Sequence, residues 1–260
     1  MIICQISDFH VRHFSSGDLV DTRACLTAAI DRIMRLDPAP DLVLATGDLT
    51  DHGTTEEYQL LRDTLAPLSV PAYLLPGNHD DRDTLRQVFS DVAYLPRRGP
   101  LDYELVFRQF RILVIDSSVA GYEHGEISDS SMAWLRARLA ASPLPSLIAI
   151  HHPPFATGMH RIDSSCLRDS ARLEQLIREA GSVRRLICGH VHRAVFTTWA
   201  GIHASICPST AQQISLNLGA ATQSGYCLEP PALHLHCWNG ADFVTHNLPI
   251  AEYPESPASL

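Results

Sequence analysis

Five short apolar runs in this chain each end in residues that can bind a metal ion. The run at 42–45 is the clearest, because it is long enough for a buried strand and too short for a buried helix. Gly47 then permits a sharp turn, and Asp48 follows it. Open α/β sheets build their sites at the carboxyl ends of such strands. A single aspartate there would be an ordinary loop residue. Whether Asp48 is a metal ligand therefore depends on the residues that end the other four runs.

The apolar runs and helix signals also predict the order of the elements. Strands are expected at 2–6, 42–45, 72–75, 102–107, 111–115, 147–150 and 186–188, and helices at 22–35, 54–68, 83–89, 129–141 and 169–180. After residue 192 antiparallel strands are expected at 194–199, 203–207, 226–229, 232–238 and 243–247. This order predicts a layered α/β architecture with a second, largely antiparallel sheet. We expect one domain over residues 1–248 and a C-terminal tail at 249–260.

Charge and composition exclude several classes of protein. The net charge of -9 argues against a long nucleic acid as partner, because binding to a phosphate backbone relies on clustered Lys and Arg. No apolar stretch approaches the roughly 20 residues of a membrane helix, and the first residues lack a signal peptide's basic region. The seven dispersed cysteines predict buried thiols in a reducing compartment. We therefore expect a cytoplasmic protein with no membrane partner.

The candidate ligands lie at the ends of five predicted strands. They are Asp8 and His10, Asp48, Asn78 and His79, His151, and His190 and His192. A spacing of two residues within a pair puts both side chains on the same side of an extended segment. Glycine precedes Asp48, Asn78 and His190, which lets the backbone approach a crowded centre closely.

The chemistry of this set points to two divalent ions. Carboxylate, amide and imidazole groups without thiolate suit Mn, Fe, Zn, Co or Ni better than a structural zinc site. Seven ligands, with His79 left aside, are too many for one ion that keeps an open position, and they fit two ions that share a carboxylate. Two ions roughly 3.5–4 Å apart promote in-line displacement at phosphorus or a carbonyl. Bound cations would also hold an anionic substrate in this acidic protein.

In order along the chain, these motifs resemble those of the calcineurin-like metallophosphoesterase superfamily. They are Asp8-x-His10, Gly47-Asp48, Gly77-Asn78-His79-Asp80, His151-His152 and Gly189-His190-Val191-His192. Within the superfamily the chain is similar to the class III cyclic-nucleotide phosphodiesterases and the bacterial glycerophosphodiesterases. The segments Asn78-His79-Asp80-Asp81, His151-His152-Pro153-Pro154 and Ile115-Asp116-Ser117-Ser118 are typical of that branch. The resemblance implies a four-layer α/β/β/α sandwich of two mixed sheets flanked by helices, with antiparallel C-terminal strands.

The resemblance also implies a role for each residue. One ion would be held by Asp8, His10 and His192, the other by Asn78, His151 and His190, with Asp48 as the bridge between them. The two ions would be Mn, Fe, Zn or Co. Hydroxide formed at them would attack phosphorus in line. As the catalytic pair, His79 would donate a proton to the leaving group, and Asp51 would hold one ring nitrogen of His79. Contacts with the substrate would come from Asn78, His79 and His192.

Several functions are weighed on this basis. Hydrolysis of a small phosphodiester comes first, with 3′,5′-cyclic nucleotides such as cAMP ahead of glycerophosphodiesters; Asp51 and the segment His124-Gly125-Glu126-Ile127 favour the cyclic nucleotide. A phosphomonoesterase or protein phosphatase on the same site is the alternative. An interaction scaffold without metal would not need the intact ligand set, and the charge disfavours a nuclease. A homo-oligomer formed through the late strands stays open.

The remaining histidines and loop cations are assigned smaller roles. His152 is expected beside the ions and not on them, and His234 and His236 are expected to share one face of a late strand without binding metal. Five residues lie in loops after motif strands, where contact with substrate and simple solvation are equally open: Arg12, His13, His52, His160 and Arg161.

Overall fold

The computed structural model describes residues 1–219, 225–254 and 256. The strands are β1 Ile2–Ile6, β2 Leu42–Thr46, β3 Ala72–Leu75, β4 Tyr103–Val106, β5 Arg111–Ile115, β6 Ser146–Ile150, β7 Val183–Cys188, β8 Val195–Trp199, β9 Ile202–Ile206, β10 Gln213–Ile214, β11 Tyr226–Cys227, β12 Ala232–Trp238 and β13 Phe243–Pro249. The helices are α1 Thr22–Met34, α2 Thr55–Leu65, α3 Arg82–Val88, α4 Asp129–Ala141, α5 His160–Asp163 and α6 Ser170–Ala180. The predicted order is confirmed, and the sequence pattern predicts neither α5 nor β10.

Local chemistry explains where the main helices begin and end. The carboxylate of Asp21 caps α1 by accepting a hydrogen bond from the backbone of Ala24. Thr54 and Glu57 form a capping box at the start of α2, each side chain accepting from the other residue's backbone N–H. Gly181 ends α6 with a φ of 63°, a left-handed conformation that suits glycine.

The strands form two mixed sheets and one separate pair. The first sheet has the order β13-β12-β1-β2-β3, and the second has the order β4-β5-β6-β7-β9-β8. Strands β1 to β3 are parallel, as are β5, β6, β7 and β9. The prediction of a second, largely antiparallel sheet is wrong, because the late strands extend both sheets: β9 joins β7 in parallel, while β12 pairs with β1. Strands β10 and β11 pair outside both sheets.

Alternate residues of the central strands face two different cores. Ile112 and Leu147 belong to a first core cluster that also contains residues of β1, α1 and α2. Leu113 and Ile148 belong to a second cluster with residues of α4 and α6. Because successive strand residues point to opposite faces, this division means that helices cover the outer face of each sheet. The predicted α/β/β/α sandwich of two mixed sheets is confirmed.

The structure bears on two expectations from composition, the state of the cysteines and the lack of a membrane helix. All seven cysteines are free, and four of them are buried, among them Cys4 and Cys188 as predicted. Cys25, Cys227 and Cys237 are half-buried. None of the described helices is long and apolar enough to cross a membrane.

The predicted tail lies partly outside the described residues. Pro249 is still in β13, the buried Ile250 donates a backbone hydrogen bond to Pro231, and Glu252 accepts hydrogen bonds from Arg32 and Arg35. The division into a domain at 1–248 and a tail at 249–260 stays a prediction.

A hydrogen bond from the side chain of Gln5 to the main chain of β7 ties the two sheets together. The amide nitrogen of Gln5 on β1 donates to Oγ1 of Thr46 and to the carbonyl of Cys188 on β7, both at 2.9 Å. Its amide oxygen accepts from Nε2 of His236, whose Nδ1 lies 2.8 Å from Oγ1 of Thr245. Cys188 immediately precedes the Gly189-His190 segment, so Gln5 fixes the start of that segment against the first sheet.

His234 is buried on the same face of β12 as His236, but its ring has different surroundings. Neither ring nitrogen makes a hydrogen bond within the described part of the chain, although Asn247 lies opposite on β13. The ring stacks on Phe196 with centroids 5.3 Å apart. Burial lowers the pKa of His234 to about 4. The ring is therefore neutral in the folded protein.

We expect acid to destabilise the fold through His234. An unfolded histidine has a pKa near 6.5 and the folded ring one of about 4, so the unfolded state binds more protons between these values. The free energy of unfolding is therefore unaffected by His234 above pH 6.5 and falls as the pH drops toward 4. The loss is roughly 2 kcal/mol at pH 5. His234→Phe should remove this part of the difference in unfolding free energy between pH 7 and pH 5, measured in urea with chelator present. The exposed His246→Phe is the control, and an unchanged pH dependence in His234→Phe would contradict the expectation.

Candidate metal centre

The predicted ligands meet where the carboxyl ends of parallel strands from both sheets come together. Asp8 and Asp48 follow β1 and β2 in the first sheet, and His151 and His190 follow β6 and β7 in the second. The backbone N–H of His190 donates to Oδ1 of Asp8 at 2.9 Å, which joins the two sheets at this point. Asp80 holds the loops after β2 and β3 by accepting backbone hydrogen bonds, among them those of Leu49 and Gly77.

Asp48 lies between two groups of ligands. Its Oδ2 is 3.6 Å from Nε2 of His10, and its Oδ1 is 3.4 Å from Nε2 of His151. On the first side, Nε2 of His192 lies 3.1 Å from Nε2 of His10 and 3.6 Å from Oδ1 of Asp8. On the second side, Nδ1 of His190 lies 3.1 Å from Oδ1 of Asn78. The seven predicted ligands are thus brought together, with one carboxylate facing both groups.

Each of the four ligand rings has an outer nitrogen that is held by an acceptor. The pairs are Nδ1 of His151 with the carbonyl of Thr46 at 2.7 Å, Nδ1 of His192 with the carbonyl of Gln212 at 3.0 Å, Nδ1 of His10 with Oδ1 of Asp51 at 3.1 Å, and Nε2 of His190 with Oγ of Ser165 at 3.1 Å. A carbonyl or carboxylate can only accept, so the ring must carry its hydrogen on that outer nitrogen. The inner nitrogen of a neutral ring is then a lone pair.

In neutral rings, these outer bonds leave the imidazole nitrogens that face the centre as acceptors, beside the carboxylates of Asp8 and Asp48. The inner nitrogens of His10 and His192 face one another, and Nε2 of His151 is buried without a hydrogen-bond partner among the described residues. Facing lone pairs and carboxylate oxygens repel one another unless positive charge lies between them. The donor set of imidazole, carboxylate and amide suits divalent transition ions. The residues therefore fit a pair of divalent cations.

The backbone is strained at several of the predicted ligand residues. Seven non-glycine residues in the described part of the chain have a positive φ, and five of them are predicted ligands: Asp8 at 54°, His10 at 47°, Asp48 at 48°, His190 at 74° and His192 at 54°. Each such conformation costs on the order of 1 kcal/mol and persists where surrounding structure and function demand it. The backbone strain is therefore concentrated at five of the seven predicted ligands.

Glycine makes the close approach possible at two of the turns. A Cβ on Gly47, whose φ is 98°, would overlap the His151 ring, and one on Gly77 would overlap Oδ1 of Asp48. The predicted role of glycine before the ligand residues is therefore confirmed at these turns.

Burial and charge shift the pKa values of the ligands in opposite directions. Burial lowers the pKa of His190 to about 3 and that of His192 to about 4. Burial also opposes a charge on His151, but the carboxylates of Asp48 and Asp8 outweigh it and raise its pKa to about 9. Burial raises the pKa of Asp8 to about 6. In the absence of a cation, the ring of His151 therefore holds a proton beside Asp48.

Asp51 contacts His79 through a different atom from the one predicted. The carbonyl of Asp51 accepts from Nδ1 of His79 at 2.9 Å, whereas its carboxylate lies 3.9 Å from that nitrogen. The carboxylate binds Nδ1 of His10 and, at 2.5 Å, a guanidinium nitrogen of Arg12. The prediction that the Asp51 carboxylate holds the ring of His79 is wrong in this respect, because the chain turns so that the carboxylate faces His10.

His152 lies beside the centre with both ring nitrogens bonded elsewhere. Its Nδ1 is 2.8 Å from Oγ of Ser117 and its Nε2 is 3.2 Å from the carbonyl of Glu123. With both nitrogens engaged, the ring has no lone pair to offer a cation in this arrangement. This agrees with the expectation that His152 lies beside the ions.

The centre opens into a cavity of about 260 Å³. Its lining residues are His10, Asp48, Asn78, His79, Glu123, Arg161, Ile162, Ser165, His190, His192, Ile214, Gly225 and Tyr226. Sequence reasoning did not single out Ser165, Ile214 or Tyr226, which lie outside every motif and carry no distinguishing local pattern. Of the five loop residues considered for substrate contact, Arg161 lines this cavity, whereas Arg12, His13 and His52 line a neighbouring groove and His160 begins α5.

Comparison with known proteins gives relatives over nearly the whole chain. A probable glycerophosphodiester phosphodiesterase from Arcobacter nitrofigilis is 35% identical, covering 97% of this chain and 94% of that protein. A cAMP/cGMP dual specificity phosphodiesterase from Mycobacterium tuberculosis is 33% identical, with coverage of 86% and 72%. A 3′,5′-cyclic adenosine monophosphate phosphodiesterase from Escherichia coli is 28% identical, with coverage of 99% and 93%. The fold matches that of a solved dimetal phosphatase from Danio rerio with a TM-score of 0.72 at 16% identity, covering 96% of both chains.

Two mixed sheets are flanked by helices, and one aspartate at their edge faces two groups of candidate ligands. This fold and this site define a metal-dependent phosphoesterase. The model of the calcineurin-like phosphoesterase family matches residues 1–194, and the chain belongs to that family. The family is hydrolytic and uses a dinuclear metal centre, so this chain is a metal-dependent phosphoric ester hydrolase.

We expect cation binding to release a proton, because His151 must lose the one that it holds beside Asp48. With a pKa of about 9 in the cation-free protein, this ring is protonated at neutral pH. Affinity for Mn²⁺ should therefore rise about tenfold per pH unit between pH 6.5 and 8.5. Calorimetric titrations in buffers of different ionisation enthalpy would count about one proton released at pH 7.5. A constant affinity over this range, with no proton released, would contradict this origin of the shift.

Proposed function

We propose that this enzyme hydrolyses small phosphodiesters, with 3′,5′-cyclic nucleotides such as cAMP as the preferred class and glycerophosphodiesters as the alternative. The observation that carries the proposal is the position of Asp48, whose two oxygens face two groups of ligands beneath one cavity. Such an arrangement suits displacement at a phosphoryl group, which has several oxygens to be bound at once.

In this proposal Asp8, His10 and His192 hold one divalent ion, and Asn78, His151 and His190 hold the other, with Asp48 shared. When bound, the two ions supply Lewis acidity, which makes hydroxide available near neutral pH and offsets charge on the phosphoryl oxygens. Asn78 and His192 line the cavity, where they would contact the substrate.

His79 is the proposed acid for the leaving group. Its backbone N–H donates to Oδ1 of Asp48 at 3.0 Å, and its Nδ1 is fixed by the carbonyl of Asp51. Nε2 makes no hydrogen bond with the described residues, and the ring lines the cavity. Because Nδ1 carries the hydrogen that bonds the Asp51 carbonyl, Nε2 holds a proton only when the ring is cationic. Burial opposes that charge, but the nearby Asp48 and Asp51 outweigh it and raise the pKa of His79. The cationic ring can pass its Nε2 proton to the departing alkoxide oxygen.

The wall of the cavity favours a nucleotide over glycerol. Ile214 and the half-exposed Tyr226 provide an apolar and an aromatic surface, which suit the planar face of a base better than a polyol. Arg161 is the one Lys or Arg among the described lining residues, so the cavity offers little extra positive charge for a phosphomonoester dianion. The named relatives include both kinds of diesterase and do not separate them.

The decisive experiment is a substrate panel with the metal-free protein reloaded with Mn²⁺ or Zn²⁺. We expect a higher kcat/KM for cAMP than for glycerophosphoethanolamine, together with turnover of bis(p-nitrophenyl) phosphate. The reverse order would favour the glycerophosphodiesterase, and equal rates on aryl monoesters and diesters would favour the phosphomonoesterase. Hydrolysis of neither natural diester would reject both diesterase assignments, and failure to bind either metal would favour the scaffold.

His79→Ala should slow turnover more for a substrate with an alkoxide leaving group than for one with a p-nitrophenolate leaving group. We expect kcat for cAMP to fall about 10² to 10³-fold, because its alkoxide needs a proton. The loss with bis(p-nitrophenyl) phosphate should be much smaller, since p-nitrophenolate departs without one. Steady-state kinetics at saturating metal measure both, with the exposed His246→Ala as control. Equal losses on the two substrates would show that His79 acts otherwise than as an acid.

A further inference from the structure

His190 differs from the other ligand histidines in what holds its outer nitrogen. Main-chain carbonyls or a carboxylate hold His10, His151 and His192, whereas His190 is held by the hydroxyl of Ser165 at 3.1 Å. A hydroxyl can both donate and accept, so this contact alone does not fix which ring nitrogen carries the hydrogen.

A second hydrogen bond removes this ambiguity. Oγ of Ser165 donates its hydrogen to the carbonyl of Ile162 at 3.0 Å, and that carbonyl can only accept. Ser165 must therefore accept from His190, which places the ring hydrogen on Nε2. The lone pair is then on Nδ1, which lies 3.1 Å from Oδ1 of Asn78. His190 thus presents Nδ1 to the centre, whereas the other three rings present Nε2.

Different contacts hold the backbone and the ring of His190, and the ring also packs against His151 and His152. The backbone N–H is held by Asp8, and the φ of 74° sets the direction in which the side chain leaves the chain. Rotation of the ring is limited by the contact with Ser165, which lies just after α5 in a loop outside every ligand motif. A ligand ring whose orientation and tautomer are held in this way binds its ion more tightly.

We propose that Ser165 is a positioning residue for the ion held by Asn78, His151 and His190. Its hydroxyl, oriented by the carbonyl of Ile162, holds His190 in the Nε2–H tautomer with Nδ1 directed at the ion. This inference rests on the metal centre of the proposed function. Ser165 acts only through His190.

The test compares Ser165→Val with Ser165→Thr, since these side chains have nearly the same shape and differ by the hydroxyl. Calorimetric titration of the metal-free proteins with Mn²⁺ should show about tenfold weaker binding of one of the two ions in Ser165→Val. The other ion should bind as in the unmodified protein, and Ser165→Thr should restore the affinity. ¹⁵N-edited NMR of the histidine rings should show that, among the four ligand rings, His190 alone carries its hydrogen on Nε2 in the unmodified protein. In Ser165→Val it should show a mixture of tautomers at His190.

Ser164→Ala is the matched control, because its hydroxyl donates to the carbonyl of Arg161 in the same loop and touches no ligand. It should leave both affinities unchanged. Equal affinities in Ser165→Val and Ser165→Thr, or an equal loss in Ser164→Ala, would overturn the inference. Failure of the unmodified protein to bind two ions would instead overturn the metal centre, so the two failures can be told apart.

Discussion

Asp48 lies among carboxylate oxygens and imidazole nitrogens that, in neutral rings, carry no hydrogen toward the centre. The outer partners of the rings, such as Thr46 and Gln212, turn lone pairs inward from both sheets. A folded chain can keep so many acceptors at close range only with positive charge among them. In the cation-free protein a proton on His151 meets part of this need, as its raised pKa shows. The centre is therefore built for cations before any substrate arrives.

The left-handed backbone at five predicted ligands opposes folding, and so does Nε2 of His151, which is buried without a hydrogen-bond partner among the described residues. A large core divided between two clusters can carry these costs, which arise at one edge of the sheets. Functional sites commonly store strain of this kind. Here the strain lets short turns aim the ligand pairs inward without long loops that would need ordering.

The fold and the convergence of the candidate ligand residues could be predicted because each depends on local pattern. Short apolar runs ending in Asp, Asn or His define both a strand and its ligand, and the motif order identifies the family. What could not be predicted depends on contacts between distant segments: the carboxylate of Asp51 facing His10, the hydroxyl of Ser165 on His190, and the cavity wall at Tyr226. A serine in a loop looks like any other serine until the fold places a ring against it.

The amide of Gln5 spans the gap between the sheets directly below the centre, and its neighbours on either side lead into ligand turns. A pair of ions above it would join the same two sheets a second time, like a cross-link between segments more than a hundred residues apart in sequence. Separating the sheets would then mean giving up the ions as well as the amide contacts. Cooperative opening of the molecule and loss of its catalytic centre become a single event.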